Sequence, residues 1–209
     1  MRLSARPALV VCALLALWSA PATAQRRVQL DVSVPSGVTP GMVTMAGLFS
    51  DPDMRELVRA GFPLSLRFRL ELWRSGGLFN DLEGNQEWEL IVHYDPTGQR
   101  YRVVRRQAGR MEDLGSFATL STAQSVLERP LRITLVPQRP GRRYYYNFAL
   151  DIVALSVSDM DQLERWLRGV RGGTAVSAVG SGVRTLMLRM LGGENRHYER
   201  RSGTFSAER

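Results

Sequence analysis

Apolar and polar residues alternate along several short segments of the chain, a pattern typical of β-strands with one buried face. The alternation is clearest from Pro63 to Trp73, where leucines and a phenylalanine occupy every second position from Leu64 onward. Most of the positions between them are arginine, serine or glutamate, as in an antiparallel sheet with one face in water. Further strands are predicted at residues 28–34, 42–49, 86–94, 100–106, 131–137 and within 141–155.

Three short helices are predicted from their capping residues, at about residues 51–60, 122–128 and 158–168. Most connections between the predicted strands are turns, whereas a parallel sheet needs a substantial helix in each crossover. The sequence therefore predicts an all-β fold, mainly an antiparallel β-sandwich of Ig-like or C2-like kind, with short peripheral α-helices.

Three consecutive tyrosines, Tyr144 to Tyr146, lie in the last predicted strand of the sandwich. Adjacent side chains of a strand point to opposite faces, so the three rings do not form one stacking platform. Tyr144 and Tyr146 share a face with Phe148, and we expect them to be buried with their hydroxyls reaching partners near the rim. Tyr145, beside Arg143, is left on the other face as a candidate interaction residue.

The first 24 residues have the anatomy of a secretory signal peptide. Arg2 and Arg6 precede an apolar stretch at residues 8–18, and Ala22 and Ala24 stand at the small-residue positions before a cleavage site. An uncleaved membrane anchor is the alternative, but a spanning helix needs about 20 apolar residues. We therefore expect cleavage after Ala24 and export to the periplasm or the extracellular space.

The chain after residue 24 divides into three predicted parts. Residues 25–168 form the β-sandwich domain, residues 169–182 a Gly-rich linker, and residues 183–209 an amphipathic helix with an arginine-rich tail. Such a helix can dock on a partner, cap the core or lie on an anionic membrane. Four arginines of this last part are candidate interaction residues: Arg184, Arg189, Arg200 and Arg201.

Composition limits the sources of stability and the partners. Cys12 is the only cysteine and leaves with the signal peptide, so no disulfide or cysteine metal ligand is expected. Loss of residues 1–24 removes two arginines and no acid, which lowers the net charge from +8 to +6. Export, and the alternation of arginines with acids, argue against a nucleic acid as partner. An anionic lipid or polysaccharide surface stays open as a partner.

No catalytic, cofactor-binding or metal-binding motif is recognisable in the sequence. His93 and His197 are isolated and lack the ligand spacing of a metal site. No serine has a visible base, and the glycines near residue 180 lack the lysine of a P-loop. The sequence therefore predicts a protein that is not an enzyme and that uses no cofactor or metal.

The outer face of the predicted sheet is expected to carry structural ion pairs. Glu87 and Glu89 should pair across strands with neighbouring arginines, at about 0.2–1 kcal/mol per pair. The candidate arginines are Arg67, Arg69 and Arg102. His93 is expected on the same face, solvated among these charged residues.

Four segments, in chain order, carry a resemblance to a known family. They are LVRAGFPLSLRFRLELWR, WELIVHYDPTGQRYRVV, SFATLSTAQSVL and RPGRRYYYNFALDIVALSVSDM. The matching positions are Gly61, Pro63, Leu64, Val92, Tyr94, Tyr101, Val103, Ser116, Phe117, Leu120, Pro140, Gly141, Tyr144, Leu150 and Asp151. Over about residues 28–168 the chain resembles the bacterial exported protein family catalogued as domain of unknown function 4390.

The resemblance implies export and carries no functional residue with it, because the family has no assigned activity. Its members sometimes lie near envelope signalling genes, which implies a regulatory role. This chain has SVSDMDQLERWLRG where the family usually has a Leu-Pro segment and a tryptophan-bearing strand. The chain also adds the Gly-rich linker and the arginine-rich tail, so its C-terminal part lies outside the resemblance.

Together these observations favour an exported, non-enzymatic β-sandwich that binds another component of the bacterial cell envelope, with a protein partner preferred to a ligand. A signalling or regulatory role fits this hypothesis. Peripheral binding of anionic lipid or polysaccharide is the alternative, and a hydrolase with an unrecognised site is the third.

Overall fold

The computed structural model describes residues 28–36, 40–76, 79–154 and 196–207, together with Arg165. Two antiparallel sheets share one apolar core. The strands are β1 (Gln29–Ser33), β2 (Met42–Ala46), β3 (Leu64–Arg74), β4 (Asp81–Asp95), β5 (Arg100–Gln107), β6 (Arg110–Phe117), β7 (Leu131–Arg132), β8 (Arg143–Ala154), β9 (Arg196–Arg201) and β10 (Phe205–Ser206). The helices are a 3₁₀ turn (Leu48–Ser50), α1 (Pro52–Arg59) and α2 (Leu120–Leu127). The predicted class, a mainly antiparallel β-sandwich with short helices, is confirmed.

The larger sheet has seven strands and is built around β3. Its order is β10-β8-β3-β4-β5-β6, and β9 also pairs with β8. β3 is paired along its whole length, with β4 on one side and β8 on the other. β3, β4 and β5 pair in chain order and form a meander.

The smaller sheet has the order β1-β2-β7 and supplies the other layer of the sandwich. Its inward side chains, including Val32, Val43 and Met45, are buried. Met54 of α1 and Leu127 of α2 are buried in the same apolar cluster. The helices therefore close the core beside a sheet that is too narrow to cover seven strands.

Three aromatic rings stack at the centre of the larger sheet. The ring centroid of Phe68 of β3 lies 5.1 Å from that of Trp88 of β4 and 5.9 Å from that of Phe148 of β8, and the centroids of Trp88 and Phe148 are also 5.9 Å apart. In the register Phe68 pairs with Trp88, whereas Phe148 pairs with Leu70, two positions further along β3 on the same face. All three are at most 7% exposed.

The two predicted core tyrosines are confirmed as buried, with satisfied hydroxyls. The hydroxyl of Tyr146 donates to the carbonyl of Leu135 at 2.7 Å, and that of Tyr144 donates to the carbonyl of Arg139 at 3.1 Å. Burial raises the pKa of Tyr146 to about 12. The hydroxyls tie β8 to the segment that leads into it, since both acceptors precede the strand.

Local capping explains the positions of both helices. The backbone N–H of Thr122 donates to the side chain of Thr119, the N-cap of α2. The segment after α1 turns at Gly61, whose φ of +90° favours glycine. α1 lies within one residue of its predicted limits, whereas α2 begins two residues before the predicted start at residue 122.

Two strands differ from the sequence prediction for local reasons. β6 escaped prediction because its apolar residues, Met111, Leu114 and Phe117, are three positions apart. The register with β5 shifts at Leu114, so a bulge breaks the period-two pattern. The strand predicted at residues 131–137 keeps its pairing with β2 only as far as Arg132.

The prediction of a separate tail over residues 183–209 is wrong for residues 196–206. β9 pairs with β8 over six positions, and β10 pairs with the start of β8. Tyr198 and Phe205 pack against the core, and the ring of Phe205 lies 5.2 Å from that of Tyr146. The sandwich therefore extends beyond the predicted boundary at residue 168.

Several predictions fall on residues outside the described ranges. They concern the signal peptide at 1–24, the helix at 158–168 apart from the exposed, helical Arg165, the linker at 169–182 and the amphipathic helix from residue 183.

Replacing Phe148 by alanine should lower the free energy of unfolding by about 3–5 kcal/mol, since the change leaves a cavity beside the rings of Phe68 and Trp88. Urea unfolding followed by circular dichroism measures this loss. Val136→Ala is the matched control: Val136 is 71% exposed, so its removal should change the free energy by about 0.5 kcal/mol or less. A loss below about 1 kcal/mol for Phe148→Ala would contradict the central role of the stack.

Candidate functional site at the arginine-rich end

One end of the larger sheet gathers the end of β3, the start of β8 and the β9–β10 segment. The backbone N–H of Ser75 donates to the carbonyl of Arg143 at 2.8 Å. Ala207 follows β10. Its carbonyl accepts a hydrogen bond from the backbone N–H of Gly141 at 3.0 Å, and its own N–H donates to the carbonyl of Arg142 at 3.2 Å. The turn at residues 138–142 is therefore held in place by main-chain hydrogen bonds.

Four exposed arginines lie at this end of the sheet, which we call the arginine-rich end. They are Arg139, Arg142, Arg143 and Arg201. Among the residues that the structure describes, none of the four forms an ion pair; Arg143 donates only to the hydroxyl of Thr204, at 3.1 Å. Asp81 and Glu83, at the same end of the sheet, are both paired with Arg74. Within the described residues, no acid neutralises the positive charge that this end presents.

Tyr145 is covered, which corrects the prediction that it is available for recognition. Its ring stacks on that of Trp73, with centroids 6.4 Å apart and planes 5° apart. The guanidinium carbon of Arg201 lies 3.5 Å from the centroid of the Tyr145 ring, a cation–π contact. Tyr145 is consequently 7% exposed, and the group that meets solvent above it is Arg201.

The other predicted interaction residues have different positions. Arg143 and Arg201 belong to the arginine-rich end. Arg200 is exposed but pairs with Phe148 in the register, so it lies on the opposite face of β9 from Arg201. Arg184 and Arg189 lie outside the described residues. The sequence thus singled out part of the cluster, and the structure adds the turn arginines Arg139 and Arg142.

A signal for the two added arginines was present in the sequence. They flank the Pro-Gly of QRPGRR, a segment whose composition predicts a turn between strands. Turn residues lie on the surface, so arginines in a turn are exposed. What the local pattern lacked was the position of β9, which brings Arg201 to the same end.

A row of alternating charges crosses the outer face of the larger sheet, and it is separate from the arginine-rich end. Five residues follow one another in the register from β9 to β5: His197, Asp151, Arg67, Glu89 and Arg106. The outermost contact joins His197 Nδ1 to Asp151 Oδ1 at 2.7 Å. Further along the row, Arg67 and Glu89 form a cross-strand pair of opposite charge, and such pairs stabilise a sheet.

Glu89 is the centre of this row and is only 5% exposed. Arg106 Nε donates to one carboxylate oxygen at 2.5 Å, while Arg67 Nε approaches the other at 3.5 Å. The hydroxyl of Ser65 donates to the same oxygen as Arg67. The predicted pairing of Glu89 with Arg67 is confirmed, whereas Arg102 pairs with Asp113. These partners satisfy the carboxylate, so its role is structural.

His93 lies on the predicted face, but the expectation that it is solvated is wrong. The side chain is largely buried opposite Arg102, and its Nδ1 atom has no hydrogen-bond partner in the described part of the chain. Burial, and then the charge of Arg102, lower the pKa of His93 to about 4, against a smaller opposing effect of Asp95. The imidazole is therefore neutral at pH 7.

The arrangement of the described residues offers no assembled reaction centre. None of their His, Cys, Asp and Glu side chains form a group of three or more that could hold a metal ion. His197 and Asp151 form a hydrogen-bonded pair, but the second ring nitrogen of His197 faces Glu199 Oε2 at 3.8 Å. For the pair to act as a general base, this second nitrogen would have to face a nucleophile.

Comparison with known proteins identifies no relative. No family model matches the chain, no curated protein matches it, and no solved structure matches it. The resemblance to domain of unknown function 4390 therefore rests on the quoted motifs and stays a prediction. A separate finding concerns membranes: no helix in the described part of the chain has the length and apolar character needed to span a bilayer.

The pH dependence of stability should contain a contribution from His93. The unfolded state binds a proton below about pH 6.5, whereas the folded state resists protonation until about pH 4, so stability falls as the pH drops through this window. Between pH 7 and pH 4.5 the wild type should lose about 2–3 kcal/mol more than His93→Gln. Urea unfolding at each pH measures the difference, which should be flat between pH 7 and pH 8. Identical pH profiles for the two proteins would refute a buried, neutral His93.

Removing the charge of Glu89 should also be costly. Glu89→Gln leaves Arg67 and Arg106 without their carboxylate, and we expect a loss of about 1–3 kcal/mol in the free energy of unfolding. Glu112→Gln is the matched control, because the pair of Glu112 with Arg105 is exposed and should contribute about 0–1 kcal/mol. Equal effects of the two substitutions in urea unfolding would show that Glu89 is not the centre of the row.

Proposed function

We propose that this protein is an exported, non-enzymatic β-sandwich that binds another component of the cell envelope through its arginine-rich end. The observation that carries the proposal is the exposure of Arg139, Arg142, Arg143 and Arg201 without ion pairs among the described residues. A folded protein gains little stability from unpaired arginines, so their concentration at one end supports a binding role.

The arginines are well suited to recognise carboxylates. A guanidinium donates two parallel hydrogen bonds to a carboxylate, and Arg201 is already oriented by its contact with Tyr145. The turn that carries Arg139 and Arg142 is fixed by main-chain bonds to Ala207. Because little conformational freedom is lost on binding, a partner with an acidic surface would be held with modest entropic cost. The preferred partner is an envelope protein with such a surface.

Anionic lipid or polysaccharide is the second candidate partner, and the same four arginines favour it. Basic residues near an anionic leaflet contribute about 1 kcal/mol each to membrane attachment. A regulatory or signalling role agrees with the resemblance to domain of unknown function 4390 and belongs to the proposal in either case.

Capture of envelope proteins should depend on the arginine-rich end. The test variant carries Arg139→Gln, Arg142→Gln, Arg143→Gln and Arg201→Gln. The control variant has the same loss of charge at four exposed arginines elsewhere: Arg59→Gln, Arg100→Gln, Arg110→Gln and Arg132→Gln. At low salt we expect the test variant to capture at least tenfold less of an envelope protein than the wild type, while the control variant retains capture. Equal losses of capture in both variants would show that net charge alone explains the effect, and would refute a binding site at the arginine-rich end.

Flotation with vesicles that contain anionic lipid separates the two partners. Binding at low salt that disappears at high salt, and that falls more than a hundredfold in the test variant, would assign the end to a lipid surface. Capture of an envelope protein without vesicle binding would assign it to a protein. Absence of both kinds of binding would overturn the proposed function.

A further inference from the structure

A cavity of about 250 Å³ lies between the two sheets, beside α2. Its walls are mostly apolar and come from both layers of the sandwich. Phe68, Trp88 and Phe148, the central stack, line it from the larger sheet, and Val43 and Leu131 line it from the smaller sheet. The cavity shares no residue with the arginine-rich end, so a ligand in it would be independent of the proposed function.

Two arginines line the cavity as well. Arg105 pairs in the register with Leu90, a core residue, so it lies on the inward face of β5. Its guanidinium reaches the surface and pairs with Glu112 at 2.5 Å. Arg129 follows α2, is exposed, and forms no ion pair with any residue that the structure describes. The lining therefore has apolar walls and a net positive charge where it meets water.

The size and the walls of the cavity indicate the kind of group that fills it. A cavity of about 150 Å³ with apolar walls stays dry and binds benzene. This cavity is larger, and an unfilled apolar space of its size lowers stability. A short acyl chain or a single aromatic group would restore the missing contacts with the stacked rings.

We propose that this cavity binds a small anionic amphiphile, with its apolar tail between the sheets and its carboxylate or phosphate at Arg129 and Arg105. Charge complementarity selects the head group, because both lining cations are guanidinium groups that bind such oxyanions in a bidentate manner. The occupant is thus an acyl chain with an acidic head.

Octanoate is the test ligand, and isothermal titration calorimetry with the full chain is the measurement. We expect saturable binding that tightens about fourfold for each methylene added between hexanoate and octanoate, which reports burial of the tail. Octylammonium has the same chain with the opposite charge and should bind at least tenfold more weakly. Octyl phosphate supplies the second head group; the tighter of the two anions identifies a phosphate-bearing lipid or a free fatty acid as the source.

Substitutions locate the binding site in the cavity. Arg129→Gln should weaken octanoate about tenfold and leave octan-1-ol unchanged, whereas Arg132→Gln, an exposed arginine outside the cavity, should change neither. Val126→Phe places a ring in the cavity from α2 and should weaken both ligands; Leu114→Trp does so from β6 if the first variant does not fold. Absence of saturable octanoate binding to the wild type, or equal binding of octanoate and octylammonium, would overturn the proposal.

Discussion

The pairing of β3 with both of its neighbours is the constraint on which the rest of the structure depends. Every residue from Leu64 to Arg74 has a partner in β4 and another in β8, with one register irregularity near Leu72. A strand fixed from both sides cannot slip, since a shift of one residue would exchange its faces. The central aromatic stack and the row of alternating charges are therefore two results of one register.

The two faces of this sheet have different tasks. On the inner face, Phe68 and its stacked neighbours leave room for a cavity where the smaller sheet is too narrow to close the sandwich. On the outer face, Glu89 is neutralised by two arginines and contributes to the sheet rather than to binding. Among the described residues, unpaired arginines are concentrated at the arginine-rich end, where strands end and turns begin. Main-chain hydrogen bonds hold the turn at residues 138–142 there without burying its side chains.

The sequence predicted the elements in which local pattern and tertiary environment agree. β3, β4 and β8 were predicted because one face of each is largely apolar at every second position, and β5 because it returns after a turn that follows β4. β6 was missed because a bulge interrupts that period, and β9 because its arginines outweigh the single inward Tyr198. Periodicity also identified the sheet face on which Tyr145 lies, but it could not identify the residues that pack on its ring. Trp73 and Arg201 are distant in the chain, and only the assembled sheet brings them to that ring.

The position of β9 and β10 has a consequence for shortened forms of the chain. These two strands occupy the edge of β8, the neighbour of the most constrained strand in the fold. A cut or a premature stop between residues 154 and 196 that released them would leave the N–H and C=O groups of a long, largely apolar strand unpaired. Such an edge is a template for strands of other molecules. Shortened products should therefore be prone to self-association and domain exchange. In the folded protein, β9 and β10 cover the edge of β8 and so prevent both.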